Sequence, residues 1–148
     1  HAWEYIHDEV GWNYRMPNIN AALGYAQLIK FKDILNKKRV LAKRYKLHFK
    51  NSKNFIYVND QKNCKSNYWL NCVKLSSTDL KVRDIVLKKM HQFGFRCRPV
   101  WRLLNKLPMY INCPRSDLTN AINLEKSIIN LPSSSYHVNL NSERFYEK

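Results

Sequence analysis

The chain has 148 residues, of which 45% are hydrophobic and 13% aromatic, and it carries a net charge of +15. This length and apolar content predict one domain with one sizeable core and exclude a disordered tail. No apolar run approaches the ~18 residues of a membrane span. The opening HAWEYIHDEV is not a secretory signal, so we expect a cytoplasmic protein.

The positive charge has two interpretations. A polyanionic partner such as nucleic acid would explain it. Lysines are, however, spread along the chain among many Asn, Ile and Tyr residues, which is typical of AT-rich codon usage, and we favour that interpretation and expect no nucleic-acid partner. The four cysteines, Cys64, Cys72, Cys97 and Cys113, form no C-x-x-C pair. We therefore expect free thiols and no zinc site.

Residues 1–17 are predicted to form an extended lead-in, because Pro17 disfavours helix at Met16 and suits the first turn of a following helix. Apolar residues then recur at helical spacing to about Lys50, which predicts one helix of roughly 30 residues and about 45 Å. Such a helix is long for a small domain, so we expect it to carry an interface or to bridge two domains. Its basic face, which includes Lys38, is predicted to be solvated.

The rest of the chain alternates strands and helices. Strands are predicted at 55–58, 68–75 and 95–101, helices at 76–94 and 118–131, and a short fourth helix in the polar stretch after residue 132. Ser77 or Thr78 can cap the helix at 76–94, and Gly94 closes it. Its predicted buried face comprises Val82, Ile85, Val86, Lys89 and Phe93. This order is typical of an α+β layer with a small sheet covered by helices on one face.

Asn13, Tyr14 and Arg15 directly precede the first helix. A helix N-terminus offers free N–H groups and positive charge to a phosphate, to which an Arg adds a two-pronged donor and an Asn a neutral donor. The alternative is a solvated loop with one packed tyrosine. The small residues at 20–24 would let a second chain approach closely, or would equally serve packing within one domain.

A second candidate site is the basic and aromatic cluster Arg96, Arg98, Trp101 and Arg102 around a strand end. Arginines beside a tryptophan can bind a phosphate together with a flat or sugar ring. The alternative is a sheet edge that charge protects from pairing. No nucleotide-binding or hydrolase motif is present, and no catalytic set can be assembled from the sequence alone.

The stretch HDEVGWNYRMPNINAALGYAQL resembles the start of the C-terminal part of the DegT/DnrJ/StrS aminotransferases, which use pyridoxal 5′-phosphate (PLP) on sugar nucleotides. Three further stretches agree in order: SNYWLN, GFRCRPVWRLLNKLPMYINCPRSDL and EKSIINLPSS. The resemblance thus covers nearly the whole chain. The middle stretch is similar to the branch that aminates UDP-4-keto-6-deoxy-hexoses.

The resemblance implies the type I aminotransferase fold. Residues 18–148 would be the connecting helix and the small C-terminal domain, and residues 1–17 the lead-in that carries the Asn-Tyr-Arg motif. The large N-terminal domain, with the Schiff-base lysine, would precede His1, and a start at His rather than Met agrees with a fragment. The fragment would then hold no catalytic residue and be inactive alone.

The resemblance also implies a homodimer whose active site is shared between subunits. Asn13 would reach the PLP phosphate of the partner subunit, and Arg15 would lie in the same site beside the sugar nucleotide. Tyr14, Arg98 and Trp101 would contact the substrate. The implied reaction transfers an amino group, usually from glutamate, to a nucleotide-linked 4-keto sugar in bacterial surface-polysaccharide biosynthesis. The alternative is a non-catalytic remnant that acts as a basic binding or dimerisation module.

Overall fold

The computed structural model describes residue 3, residues 7–12 and residues 16–138, in which a mixed α+β fold is formed. Its helices are α1 (Asn18–Ile29), α2 (Phe31–Phe49), α3 (Leu80–Gln92) and α4 (Thr119–Ser127). Its strands are β1 (Phe55–Tyr57), β2 (Asn71–Leu75), β3 (Arg98–Pro99) and β4 (Ile128–Leu131). Three single turns of 3-10 helix lie at Leu104–Lys106, Pro108–Tyr110 and Ser135–His137. The predicted α+β class is confirmed.

The four strands form one antiparallel sheet in the order β1-β2-β4-β3. Val73 of β2 lies opposite Tyr57 of β1 and opposite Ile129 of β4. Because directly opposed residues of paired strands point to the same side of a sheet, these three side chains share one face. Strand β4 pairs along both of its edges, with β2 on one side and β3 on the other.

The hydrophobic core lies on that face of the sheet, against α2 and α3. Its buried residues are Tyr57, Val73, Leu75, Leu87, Cys97, Ile129 and Leu131. Tyr45 and Phe49 of α2 and Met90 of α3 pack against this cluster. The ring of Phe49 lies 6.0 Å from that of Phe55 in β1. Burial of this apolar surface therefore fixes both helices to the sheet.

The single long helix predicted from residue 18 to about residue 50 is wrong, because the helix is interrupted at Lys30. The Lys30 N–H donates to the carbonyl of Gln27 at 3.1 Å, which tightens the last turn of α1. The N–H of Ile34 donates to the carbonyl of Lys30 at 3.0 Å, so α2 starts at once. Only α2 gains core contacts: α1 has no buried residue. The apolar period of the sequence continues through both helices, but only α2 is supported by contacts with the core.

Helix α3 is present where the sequence predicts a helix, but its cap is Asp79 and not Ser77 or Thr78. The Asp79 carboxylate accepts a hydrogen bond from the Lys81 N–H at 2.9 Å. The Ser77 hydroxyl instead accepts from the Asp79 N–H at 3.1 Å, which shapes the turn before the helix. An Asp at this position also complements the positive end of the helix dipole.

The predicted buried face of α3 is wrong in most of its members. Leu87 is fully buried and Arg83 is 5% exposed. Val86 does pack against the core. The exposed members of the predicted face are Val82, Ile85, Lys89 and Phe93. The pattern missed this face because an arginine was assigned to solvent, whereas its aliphatic stem can be buried when its guanidinium is paired.

The predicted helix at 118–131 is also wrong in its second half. The helix ends at Ser127, and Ile128 is already extended, with φ −91° and ψ 136°. Residues Ile128 and Ile129 are β-branched and suit a strand, and strands β2 and β3 offer ladder partners on both sides. Pairing with two distant strands therefore overrides the helical pattern of this part of the sequence.

Two predicted strands are shorter than expected, and one is confirmed. The strand predicted at 55–58 is β1. The strand predicted at 68–75 begins only at Asn71, because Tyr68 has a positive φ of 49° that does not fit a strand. The strand predicted at 95–101 pairs only at Arg98–Pro99. The predicted fourth helix is one 3-10 turn at Ser135–His137, and residues 139–148 lie outside the described residues.

We predict that Leu87→Ala lowers the free energy of unfolding by about 2–5 kcal/mol, because it leaves a cavity in the core. Ile85→Ala is the matched control: the same helix loses a similar side chain that is 55% exposed, and the expected change is within about 1 kcal/mol. Urea unfolding followed by circular dichroism measures both changes. Equal losses would contradict the observed register of α3.

Burial raises the pKa of the Cys97 thiol to about 11. At pH 8 only about one Cys97 in a thousand is then a thiolate, the nucleophilic form. We predict that iodoacetamide at pH 8 modifies the exposed Cys64 and Cys113 and spares Cys97 until the protein is unfolded in urea. Peptide mass spectrometry identifies the sites. Because the pKa in the unfolded chain is lower, the neutral Cys97 thiol stabilises the fold below about pH 8.5, and this stabilisation is lost towards pH 11.

Candidate functional site

A cleft of about 650 Å³ opens on the side of the sheet where β3 ends. Its walls come from the turn before β2, the segment after β3, the start of α3 and the segment after β4. The cleft brings together side chains that are far apart in sequence, including Trp69 and Trp101 and several arginines. It is therefore the part of the described structure best suited to bind a small molecule.

Two exposed tryptophans line the cleft. The rings of Trp69 and Trp101 have centroids 5.8 Å apart and are inclined by 33°. Trp69 is 66% exposed and Trp101 is 57% exposed. Large aromatic side chains with this much free surface are typical of sites that contact a ligand or a partner.

Three exposed arginines, Arg96, Arg98 and Arg102, line the same cleft. Neither Arg96 nor Arg102 makes a hydrogen bond or ion pair with another described residue, whereas Arg98 is not free of interactions. A guanidinium presents several donors in one plane and can bind two oxygens of a phosphate or carboxylate at once. The cleft is thus suited to an anionic ligand.

The floor of the cleft is a buried polar network centred on Glu125, which is 7% exposed. Its carboxylate accepts a hydrogen bond from the Leu103 N–H at 3.2 Å and forms an ion pair with Lys106. Arg83 donates to the Glu125 carbonyl at 2.9 Å and to the carboxylate of Asp84 at 2.8 Å. This network ties α3, α4 and the segment after Trp101 together.

Lys38 of α2 supports the turn that carries Trp69. Its ammonium donates to the carbonyl of Trp69 at 3.0 Å and to the carbonyl of Ser133 at 2.7 Å. Partial burial lowers the pKa of Lys38. The prediction that Lys38 belongs to a solvated face is therefore wrong, since its charge is used to join the helix to two cleft-lining segments.

The turn before β2 is held by further hydrogen bonds. The Tyr68 N–H donates to the Ser66 hydroxyl at 2.9 Å, and the Trp69 N–H donates to the side-chain oxygen of Asn67 at 3.0 Å. Burial, together with a hydrogen bond to Asp60, raises the pKa of Tyr68 to about 12. The hydrogen bond from Tyr68 in turn lowers the pKa of Asp60. These bonds hold Tyr68 in a backbone conformation that non-glycine residues adopt infrequently.

The structure brings together Arg98 and Trp101, two of the residues predicted to bind substrate. Asn13, Tyr14 and Arg15 lie outside the described residues, so their roles stay predictions. The small-residue segment at 20–24 is exposed throughout.

Sequence reasoning missed two residues that line the cleft, Trp69 and Glu125, and it missed Lys38, which supports two cleft-lining segments from α2. The lone acid in LTNAINLEKSIINL was a usable signal for Glu125, and an aromatic residue beside a turn was a weaker one for Trp69. No sequence signal distinguished Lys38 from the other lysines of its helix.

No group of three or more His, Cys, Asp or Glu residues in the described ranges is arranged to hold a metal ion. The described helices include none that is both long and apolar enough to cross a membrane.

The α+β fold thus combines a small antiparallel sheet with a cleft lined by Arg and Trp, and comparison with known proteins identifies its family. Residues 1–145 match the DegT/DnrJ/EryC1/StrS aminotransferase family. The chain belongs to this family of PLP-dependent sugar aminotransferases. The resemblance found in the sequence is thereby confirmed.

Relatives of this chain include two GDP-perosamine synthases. The chain is 33% identical to the enzyme of Escherichia coli O157:H7 over 108 residues, which are 72% of this chain and 28% of that protein. It is 30% identical to the enzyme of Caulobacter vibrioides over 129 residues, which are 84% of this chain and 34% of that protein. The chain thus spans about a third or less of the length of these relatives.

A solved structure has the same fold. It is PseC of Helicobacter pylori, an aminotransferase involved in the biosynthesis of pseudoaminic acid. The TM-score is 0.74 at 23% sequence identity, and the match covers 91% of this chain and 36% of PseC.

We predict that Lys106→Met destabilises the fold by about 1–3 kcal/mol, because it leaves the buried carboxylate of Glu125 without its cation. Lys37→Met is the matched control: Lys37 pairs with Asp33 on the surface of α2, with side chains 33% and 56% exposed, and such pairs contribute at most about 0.5 kcal/mol. Adding Glu125→Gln to Lys106→Met should recover part of the loss. Urea unfolding of the unmodified protein, Lys106→Met, Glu125→Gln and the double variant measures the coupling energy, and a value of zero would contradict the pairing.

Proposed function

We propose that this chain is the C-terminal part of a PLP-dependent aminotransferase that transfers an amino group, with glutamate as donor, to a nucleotide-linked 4-keto sugar for bacterial surface-polysaccharide biosynthesis. The observation that carries the proposal is the cleft with three exposed arginines and two exposed tryptophans, on a chain of this family. The functions named for its relatives, perosamine synthesis and pseudoaminic acid synthesis, support a sugar substrate.

The donor set at the start of α1 fits the phosphate of PLP. Pro17, the N-cap, makes no side-chain cap hydrogen bond, and the first turn holds no acidic residue. The N–H groups of the first turn, at Asn18, Ile19 and Asn20, have no partner among the described residues. A phosphate is the natural acceptor for such a helix end. Asn13 and Arg15 would add a neutral and a charged donor from the segment just before it.

The chain would hold and orient the cofactor without supplying its covalent anchor. Within the described part of the chain, Lys106 is the one lysine that lines the cleft, and it is paired with Glu125. The Schiff-base lysine would come from a large domain that precedes residues 1–17, with residues 18–148 as the connecting helix and small domain. PLP, when bound, would act as the electron sink for moving the amino group.

The substrate side of the site would be the cleft. Arg98 and Trp101, together with Tyr14, would contact the nucleotide sugar, with the guanidinium on a phosphate oxygen and the indole on a ring face. The fixed floor built on Glu125 would keep the segment after Trp101 in one conformation. Binding in a pre-formed cleft loses less conformational entropy than binding in a mobile one.

The proposal includes a homodimer in which Asn13 and Arg15 serve the partner's cofactor. Helix α1 supports it, because apolar side chains on this helix face solvent: Ile19 is 77% exposed and Leu23 62%. An ideal Cβ at Gly24 would meet no atom within 4 Å, so the segment has room for another chain. Sedimentation of the complete gene product tests this part of the proposal.

The function is tested with the complete gene product, obtained after reading the DNA upstream of the His1 codon. Purified protein is given PLP, glutamate and a UDP- or GDP-linked 4-keto-6-deoxy sugar, and 2-oxoglutarate is measured. Formation of 2-oxoglutarate that depends on the ketosugar supports the proposal. A product without a Schiff-base lysine or without this activity would favour the remnant that acts only as a binding or dimerisation module.

We predict that Asn13→Ala in the complete gene product weakens PLP retention by about 1–3 kcal/mol, because one donor to the phosphate is lost. Asn36→Ala, an exposed position on α2, is the control and should leave PLP affinity unchanged. Equilibrium dialysis against PLP measures both. Unchanged affinity in the Asn13 variant would refute its assignment to the cofactor phosphate.

A further inference from the structure

We propose that Trp69 and Trp101 together form a stacking platform for the base of a nucleoside diphosphate, with Arg96 and Arg102 as the donors to its phosphates. This inference rests on the proposed function and deepens it. It adds Trp69 as a specificity-determining residue and divides the cleft into a base subsite and a phosphate subsite.

The geometry of the two indoles is the first argument. Their ring centroids are 5.8 Å apart at an interplanar angle of 33°, so the two indoles lie side by side in a tilted arrangement. More than half of each side chain stays exposed, at the mouth of a cleft of about 650 Å³. Stacking on a planar base would remove this apolar surface from water.

The second argument is that hydrogen bonds hold the backbone of Trp69 at the cleft. Its N–H donates to Asn67 and its carbonyl accepts from Lys38. The preceding Tyr68 has a φ of 49°, in the left-handed region. Such conformations persist only where surrounding contacts enforce them, and they are concentrated at ligand sites. The backbone of Trp69 is therefore held beside the cleft before any ligand binds.

The third argument is the charge beside the platform. Arg96 and Arg102 line the same cleft and have no partner among the described residues. The cleft's acids, Asp84 and Glu125, are instead paired with Arg83 and Lys106. The remaining positive charge suits a diphosphate. A flat ring and a diphosphate in one ligand describe a nucleoside diphosphate.

The platform is tested by isothermal titration of the complete gene product with UDP, GDP, inorganic pyrophosphate and glucose 1-phosphate. The tighter of UDP and GDP is then used with the variants. We expect Trp69→Ala to weaken nucleotide binding about 10-fold and to leave pyrophosphate binding unchanged. Trp69→Phe should keep most of the affinity, since a phenyl ring still stacks. Arg102→Ala should weaken the nucleotide and pyrophosphate alike.

Phe93→Ala is the matched control, because Phe93 is 77% exposed and lies outside the cleft; it should bind nucleotide as the unmodified protein does. Three results would overturn the inference: nucleotide affinity unchanged in Trp69→Ala, an equal loss for pyrophosphate, or a loss for glucose 1-phosphate as large as that for nucleotide. The last result would assign the indoles to the sugar.

The same preparations separate this inference from the proposed function. Amino transfer from glutamate to the ketosugar with nucleotide affinity insensitive to Trp69 would overturn the platform and keep the aminotransferase. Nucleotide binding that depends on Trp69, in a protein that neither retains PLP nor forms 2-oxoglutarate, would overturn the aminotransferase and keep the platform.

Discussion

The pairing of β4 with both β2 and β3 is the constraint on which the rest of the structure depends. The turn that carries Trp69 leads into β2, and the segment with Trp101 follows β3, so the central strand sets the distance between the two halves of the cleft. The same strand supplies Ile129 and Leu131 to the core. Core packing and the geometry of the candidate site are therefore determined by one set of backbone hydrogen bonds.

Sequence periodicity predicted elements where local and tertiary preferences agree. Helix α3 and strand β1 were found because their patterns are local. The strand at Ile128–Leu131 was missed because its apolar residues also continue the period of α4, and only partners more than 25 positions away decide between the two. The break at Lys30 has no Gly or Pro to announce it, and it separates a helix with core contacts from one without.

The candidate site could be predicted only where its chemistry is clustered in sequence. Arg98 and Trp101 stand close together in GFRCRPVWR and were assigned from that stretch. Trp69 lines the cleft, and Lys38 supports it through a hydrogen bond that spans 31 positions. Nothing in the sequence around either residue indicates the other. A pattern search of the sequence cannot find a side chain that supports a cleft-lining turn from another element.

The absence of buried residues in α1 has a consequence for how this helix becomes ordered. A 12-residue helix is marginal in water without tertiary contacts. In the proposed homodimer the partner would cover the apolar side of α1, so the ordering of α1 would be coupled to assembly. Any ligand held at the start of α1 would be linked to that event, and its affinity would rise with protein concentration. Diluting the protein would therefore weaken ligand binding at such a site.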